Sequence, residues 1–368
     1  MKCIIFVDSL ASFGGGERLI YYLAKILKVK TIITTNYNPN LTYDFFKKFN
    51  IEVVFPAPRK SGYIIQAILK ILYRIKIYLT ANRIKKRYPA DLYIGIGHFV
   101  HYFKPDIWYC LSPPRSWYDL YPYFLIHKYK KFYRRILFKF YRLISVLIDK
   151  YIASKINHIW VISKEVSRRV KKYYNREPEA IIYPSVKIPE IRVTKRGNYF
   201  LLPSRILPVK RIDLIVEVFK KTKEKLVICG SENIYGQQLK ELIKGAKNID
   251  YLGPASEREL NDLYLNSKAV LSFGINEDFG LIPIEANAFL KPVICPNEGG
   301  FKETVINKKT GFLIDKPYSE NLLNLINQFD EFDFNPKILR KNAERFDFIN
   351  FRKKVEKEIK KIFNSYGK

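Results

Sequence analysis

Cysteine is scarce: 368 residues include four, at Cys3, Cys110, Cys229 and Cys295, and no two stand in CxxC spacing. Such scatter argues against a zinc site or a thioredoxin-type pair. It reads as small buried hydrophobes in a reducing compartment. Long apolar runs are missing too; nothing approaches the roughly 18–20 residues needed to span a bilayer as a helix. With 17 Gly and 19 Pro and no internal repeat, the chain is not of low complexity. No Asp-x-Asp occurs anywhere. Acidic residues are outnumbered, 35 against 65 Lys and Arg, for a net charge of +30. From Val53 to Ala90 there is no acid at all, against nine bases. Charge of this sign calls for an anionic partner, whether nucleic acid, anionic membrane or phosphorylated substrate, without choosing among them.

What is present is ample for packed cores: 48% of residues are hydrophobic. The length suggests two domains of roughly 150–200 residues each. Ile4–Val7 is too short for a signal peptide and runs into Gly14-Gly15-Gly16-Glu17, so it reads as a first strand. An amphipathic helix over Arg18–Lys28 and a strand over Lys30–Thr34 complete a βαβ start, which implies a parallel sheet. Further strands are expected at 51–55, 92–96, 107–111 and 158–162, with Ser163 capping a helix over Glu165–Tyr174. After a charged, Pro-containing linker at Lys187–Asn198, a second series begins, with strands at 199–202, 225–229, 249–252, 269–272, 292–295 and 311–314. A long basic amphipathic helix is expected over Phe348–Phe363. The implied domains are 1–190, 191–345 and a C-terminal helix, 346–368, that packs back on the first. Ligands of open parallel sheets bind beyond the carboxyl ends of strands.

Three segments lie at such ends. Glu277-Asp278-Phe279-Gly280-Leu281-Ile282-Pro283-Ile284-Glu285 reads as a loop, a glycine turn and a helix with proline in its first turn. The amides of Phe279, Gly280 and Leu281 would then leave a helix N-terminus suited to phosphate, with a carboxylate at either end suited to sugar hydroxyls. Acids in a first helical turn are otherwise ordinary dipole partners. In Ser204–Asp213, Arg205 and Lys210 flank Pro208 and can converge on a diphosphate, although cations in so basic a chain are as readily just solvated. In Pro296–Glu303, Gly299-Gly300 implies a close approach of the backbone to some other group.

The ordered set of GGGE, Arg-x4-Lys, E-x7-E and GG-x2-E followed by Thr310-Gly311-Phe312-Leu313 resembles the retaining GT-B glycosyltransferases of family 4, the glycosyl transferases group 1, over essentially the whole chain. The resemblance implies an α/β fold of two Rossmann-like parallel-sheet domains facing across a cleft. It implies an enzyme moving a hexose, mannosyl or glucosyl, from a nucleotide-diphosphate sugar with retention. On it, Arg205 and Lys210 bind the donor diphosphate, Glu277 the sugar and Glu285 the ribose. The backbone of Phe279, Gly280 and Leu281 touches sugar and phosphate, and Gly15 and Gly16 lie over the phosphate. Neither cofactor nor metal is expected, in keeping with the missing Asp-x-Asp. Fixed cations meeting the charge of the departing diphosphate would stabilise the transition state. One position departs: relatives often carry a histidine where Leu111 stands, before Ser112-Pro113-Pro114-Arg115. His98, at the end of another strand, is the candidate to replace it, and Arg115 could meet an acceptor phosphate.

Basic and aromatic residues concentrate in 63–88 and 124–150. Lys128, Lys131, Arg135, Lys139 and Arg142 form one helical stripe; Tyr133, Leu137, Phe140, Ile144 and Leu147 form another. Either the apolar stripe is domain core, or the helix lies on an anionic membrane, which would make the acceptor a lipid-linked glycan or glycolipid and the enzyme a peripheral protein of the cytoplasmic face. Competing readings are a sugar-nucleotide epimerase or phosphorylase on the same scaffold, a non-catalytic subunit, or a basic nucleic-acid binder. The last lacks any nucleic-acid-binding motif.

Overall fold

The computed structural model describes residues 1–55, 63–127, 131–191, 197–231, 235–315 and 319–366. The chain forms two compact units: 1–184 together with the chain from Arg352 onward, and 185–351. Of the expected linker, Lys195 and Arg196 lie outside the described residues, as does Lys128.

The first unit runs β1 (Cys3–Val7), α1 (Gly15–Ile26), β2 (Thr31–Thr34), β3 (Asn50–Val53), α2 (Tyr63–Arg87), β4 (Leu92–Gly97), β5 (Ile107–Cys110), α3 (Tyr121–His127), α4 (Phe132–Ser154), β6 (His158–Val161), α5 (Lys164–Tyr174) and β7 (Ala180–Ile181). Its strands are parallel, in the order β3-β2-β1-β4-β5-β6-β7. A parallel sheet covered on both faces needs strands apolar on both faces. Cys3-Ile4-Ile5-Phe6-Val7 and Leu92–Gly97 are buried at every position. Ser163 caps α5, its hydroxyl accepting from the Val166 amide at 2.9 Å.

The second unit runs β8 (Tyr199–Pro203), α6 (Ile212–Phe219), β9 (Lys225–Cys229), α7 (Gly236–Ile243), β10 (Ile249–Tyr251), α8 (Glu257–Asn266), β11 (Ala269–Leu271), α9 (Leu281–Ala288), β12 (Val293–Pro296), α10 (Phe301–Thr304), β13 (Gly311–Ile314), α11 (Ser319–Asn327) and α12 (Pro336–Glu344). These strands too are parallel, in the order β10-β9-β8-β11-β12-β13. Apolar clusters fill both faces, one around Phe200, Phe219, Ile228 and Phe273, the other around Leu201, Tyr264, Phe289 and Val293. A last helix, α13 (Phe348–Tyr366), buries Phe351, Val355, Ile359 and Ile362. From Arg352 it belongs to the first unit. All four cysteines are buried thiols.

In both sheets the strand order reverses beside the first strand, between β1 and β4 and between β8 and β11. The crevice at such a switch point is where open α/β sheets bind ligands.

Helix α4 excludes one of the two readings of its apolar row. Its buried side is Phe138, Ser145, Asp149, Ile152 and Ala153. Tyr133, Phe140, Ile144 and Leu147 are exposed, joined by Phe132, Leu143 and Tyr151, while Leu137 is half-buried. The apolar row is therefore a surface ridge, not core. The basic row splits. Lys131 and Lys139 are exposed and Arg135 is half-buried. Arg142 turns inward, donating from Nε to the Trp117 carbonyl at 2.6 Å with its guanidinium over the Tyr121 ring. On α2, Arg74 likewise leaves the surface, bonding the Tyr141 hydroxyl at 3.1 Å and lying over Phe99 and Trp117. Guanidinium planes stack on aromatic faces and are weakly hydrated, which suits Arg74 and Arg142 to these aromatic surroundings.

Candidate active site

At the second unit's switch point, Lys210 Nζ donates to Glu277 Oε2 at 2.7 Å, with the side chains 18% and 22% exposed. Lys210 ends the short Pro208–Lys210 turn after β8; Glu277 sits in the loop between β11 and α9. That loop is held along its length. Ile275 N donates to the Val209 carbonyl (2.9 Å), Asn276 N to Glu298 Oε1 (3.1 Å), and Gly300 N to the Glu277 carbonyl (2.8 Å). Arg211 Nη1 also donates to Glu298 Oε1, at 2.5 Å.

The group that Gly299-Gly300 approaches is this loop. A Cβ on Gly299, whose φ is +58°, would lie 2.5 Å from the Glu277 carbonyl oxygen. One on Gly300 would lie 2.4 Å from Phe279 Cα. Gly280, with φ +93°, precedes α9, and Pro283 occupies its first turn. The amides of Phe279, Gly280 and Leu281 thus stand at a helix N-terminus, as expected, while the Phe279 ring is buried edge-on to Phe346 at 5.5 Å. Glu285, half-buried on α9, accepts from the hydroxyl of buried Tyr264 at 3.1 Å. Arg205 is exposed and makes no ion pair among the described residues. The fold therefore brings Lys210 and Glu277 into contact and sets Arg205 and Glu285 on neighbouring elements of the same carboxyl edge.

At the first unit's switch point stands Asp8. Its carboxylate accepts from the amides of His98 (2.7 Å) and Phe99 (3.1 Å). Burial raises its pKa, opposed by the His98 imidazole and by these two amides. Gly15 and Gly16 form the first turn of α1, which begins three residues earlier than expected because amides there need no intrahelical partner. A Cβ on Gly16 would lie 3.6 Å from Leu111 Cδ1, so the leucine packs against the glycine loop. His98 Nδ1 lies 2.8 Å from the Ser112 carbonyl. Arg115 directs Nε and Nη2 to Asp119 Oδ2 at 3.0 and 2.8 Å. An acceptor phosphate would have to compete with that carboxylate.

Sequence reasoning missed Asp8, Gly274, Arg211 and Glu298. Asp8 and Glu298 carried a signal in that each leaves a strand at its carboxyl end. Gly274 and Arg211 carried none, because their importance lies in neighbours distant along the chain.

The model of the family described as glycosyl transferases group 1 matches residues 186–346. The O-antigen chain mannosyltransferase RfbU of Salmonella typhimurium is 26% identical over 246 residues, spanning 62% of this chain and 67% of that protein. The alpha-1,3/1,6-mannosyltransferase ALG2 of Candida glabrata is 27% identical over 242 residues, 50% of this chain and 52% of its own. The chain thus spans about half to two thirds of the length of these curated relatives. Among solved structures, Anabaena HepE in complex with UDP-glucose superposes with a TM-score of 0.71, covering 98% of this chain and 100% of that one at 15% identity. At that identity the likeness concerns the fold, which is GT-B.

Proposed function

Because residues 186–346 match the model of the glycosyl transferases group 1, we propose that the chain transfers a hexose, with retention, from a nucleoside-diphosphate sugar to a lipid-linked glycan or glycolipid. The observation that carries this reading is the Lys210–Glu277 pair on a loop held by Glu298 and the Gly299-Gly300 backbone. A diphosphate arriving at Lys210 takes the place of the Glu277 carboxylate. The carboxylate is then released to accept hydrogen bonds from sugar hydroxyls. Arg205, exposed on the same strand exit, adds a second cation for the leaving diphosphate, and Glu285 takes the ribose. Each fixed contact that strengthens as charge develops contributes roughly 3 kcal/mol. Metal independence is part of the proposal. The similarity of RfbU and ALG2, both named mannosyltransferases, favours mannose.

The exposed ridge of α4 supports an anionic membrane as the place of reaction. Phe132, Phe140, Leu143, Ile144, Leu147 and Tyr151 supply apolar surface, with Lys131, Arg134, Lys139 and Lys150 exposed beside it. Such a helix lies in the headgroup region on its apolar face. Among the described residues no helix is long and apolar enough to cross the membrane. On this reading the protein is peripheral at the cytoplasmic face.

The test is a panel of GDP-mannose, UDP-glucose and their nucleoside diphosphates in EDTA, read by melting temperature and by nucleoside diphosphate release. A ligand of the native state raises the melting temperature by mass action. One responsive nucleotide, silenced by Arg205→Ala and Lys210→Ala, is expected. A response to RNA or DNA alone would overturn the reading.

A further inference from the structure

Two arginines from different helices of the first unit meet at one tryptophan. Arg74, on α2, has its guanidinium carbon 4.2 Å from the Phe99 ring centroid and 4.6 Å from that of Trp117. The two rings are 5.2 Å apart, so both lie to one side of the guanidinium. Nη1 of Arg74 donates to the Tyr141 hydroxyl at 3.1 Å. Arg142, the next residue along α4, donates from Nε to the Trp117 carbonyl at 2.6 Å and lies over the Tyr121 ring. Phe99 stands two residues past β4 and Trp117 in the segment leaving β5, so the pair sits at the carboxyl edge of the first sheet.

Among the described residues no carboxylate answers either charge. Helix α2 contains no acid, and α4 only Asp149, which is buried and takes His101, Tyr118 and Tyr174. Asp119 takes Arg115 and Arg169, and Asp8 takes the amides of His98 and Phe99. Arg74 and Arg142 thus bond only neutral oxygens here, with further N–H donors on each fork. Like charges gathered on one residue repel, and an anion between them relieves that cost. A phosphate makes charge-assisted, bidentate bonds to guanidinium forks, stronger than those to a hydroxyl or a carbonyl. Both helices also carry exposed apolar side chains, Leu72 and Leu79 on α2 and Phe140 and Leu143 on α4, which suits a phosphate attached to a lipid. We propose that Arg74 and Arg142 together bind the phosphate of the acceptor. That the ligand is the acceptor rests on the glycosyl-transfer reading. The pair takes over the part expected of Arg115, whose charge Asp119 already meets.

Calorimetric titration of the full chain with decyl phosphate below its micelle concentration, with glycerol phosphate and with decyl maltoside tests the site without turnover. The wild type is expected to bind decyl phosphate. Arg74→Gln and Arg142→Gln should each lose about tenfold or more in affinity, the scale of one charge-assisted bond. Arg74→Lys, which keeps the charge without the fork, should lose less. Lys210→Ala should bind as the wild type does. Melting temperatures reveal a variant that has lost its fold, and Arg74→Lys then carries the comparison. A clear preference for decyl phosphate over glycerol phosphate upholds the site for a lipid headgroup; equal affinities uphold it for a free phosphate. Decyl maltoside binding as tightly as decyl phosphate, undiminished affinity in both glutamine variants, or loss of binding in Lys210→Ala overturns the proposal. If the protein cleaves no sugar nucleotide, the acceptor role falls with the glycosyl-transfer reading, while the titrations still decide the phosphate site.

Discussion

Gly274 seats the Glu277 carboxylate: a Cβ at position 274 would lie 2.0 Å from Glu277 Oε2 and 3.2 Å from Lys210 Nζ. Both obstructed atoms are the tips of flexible side chains, so a methyl group there displaces the pair without unfolding the loop. Gly274→Ala should therefore keep its melting temperature within a few degrees. Turnover of the responsive sugar nucleotide should fall ten- to a hundredfold, about 1.4–2.8 kcal/mol of transition-state stabilisation. Full activity in this variant would show that the carboxylate does not need its present position.

Gly300→Ala should behave in the opposite manner. Here the obstruction is the backbone of Phe279, which cannot step aside. Overpacking against fixed backbone costs about 2–3 kcal/mol. Chemical denaturation should register that loss in the absence of any substrate. A variant as stable as the wild type would mean that the 277–280 loop is looser than described.

Lys291 is buried at the end of the Glu285-bearing segment, and burial pushes its ammonium from 10.5 down to about 8. Between those values the unfolded chain holds the proton that the folded chain has released. Stability linked to Lys291 is therefore fully present above the unfolded value and is lost as pH falls through the folded one. The linked slope approaches at most about 1.4 kcal/mol per pH unit. Denaturation of the wild type and of Lys291→Met, compared at pH about 7.5 and 9.5, should show the wild type gaining on the variant at the higher pH. Parallel pH profiles would contradict the assignment.

The α4 ridge should bind lipid. Sedimentation with phosphatidylglycerol vesicles is expected to carry down the wild type, and phosphatidylcholine vesicles to leave it in solution. Phe140→Ser combined with Leu147→Ser should weaken binding more than tenfold, since each apolar side chain buried contributes about 1.5–3 kcal/mol. Both positions are 62–63% exposed, so folding should be unaffected. Lys139→Gln with Lys150→Gln should weaken binding less and flatten its salt dependence. A wild type that stays in solution with both vesicles, yet sediments as a dimer, would assign the ridge to a second copy of the chain.

Much of the architecture could be read from local pattern. Runs such as Cys3–Val7 and Lys225–Cys229 are short, apolar and followed by turn residues, and their strand identity depends on nothing remote. Ser163 as a cap, Gly280 as a turn and Pro283 in a first turn follow from the conformations those residues favour. The role of Arg142 did not follow. Its spacing placed it on a basic stripe, but the Trp117 carbonyl and the Tyr121 ring claimed it. Spacing places a residue on a helix face without saying which face the fold will cover.

The sequence by itself determined two series of parallel-sheet units and put Arg205, Lys210, Glu277 and Glu285 on segments leaving strand ends, because strand and turn preferences act over a few residues. Only the tertiary structure decided that Lys210 closes on Glu277, that Glu298 and Gly300 hold the loop between them, and that Asp8 reaches across to the His98 turn. Those contacts join residues 22 to 90 positions apart. They exist because a parallel sheet sets the ends of distant strands side by side, an arrangement governed by strand order and not by local sequence.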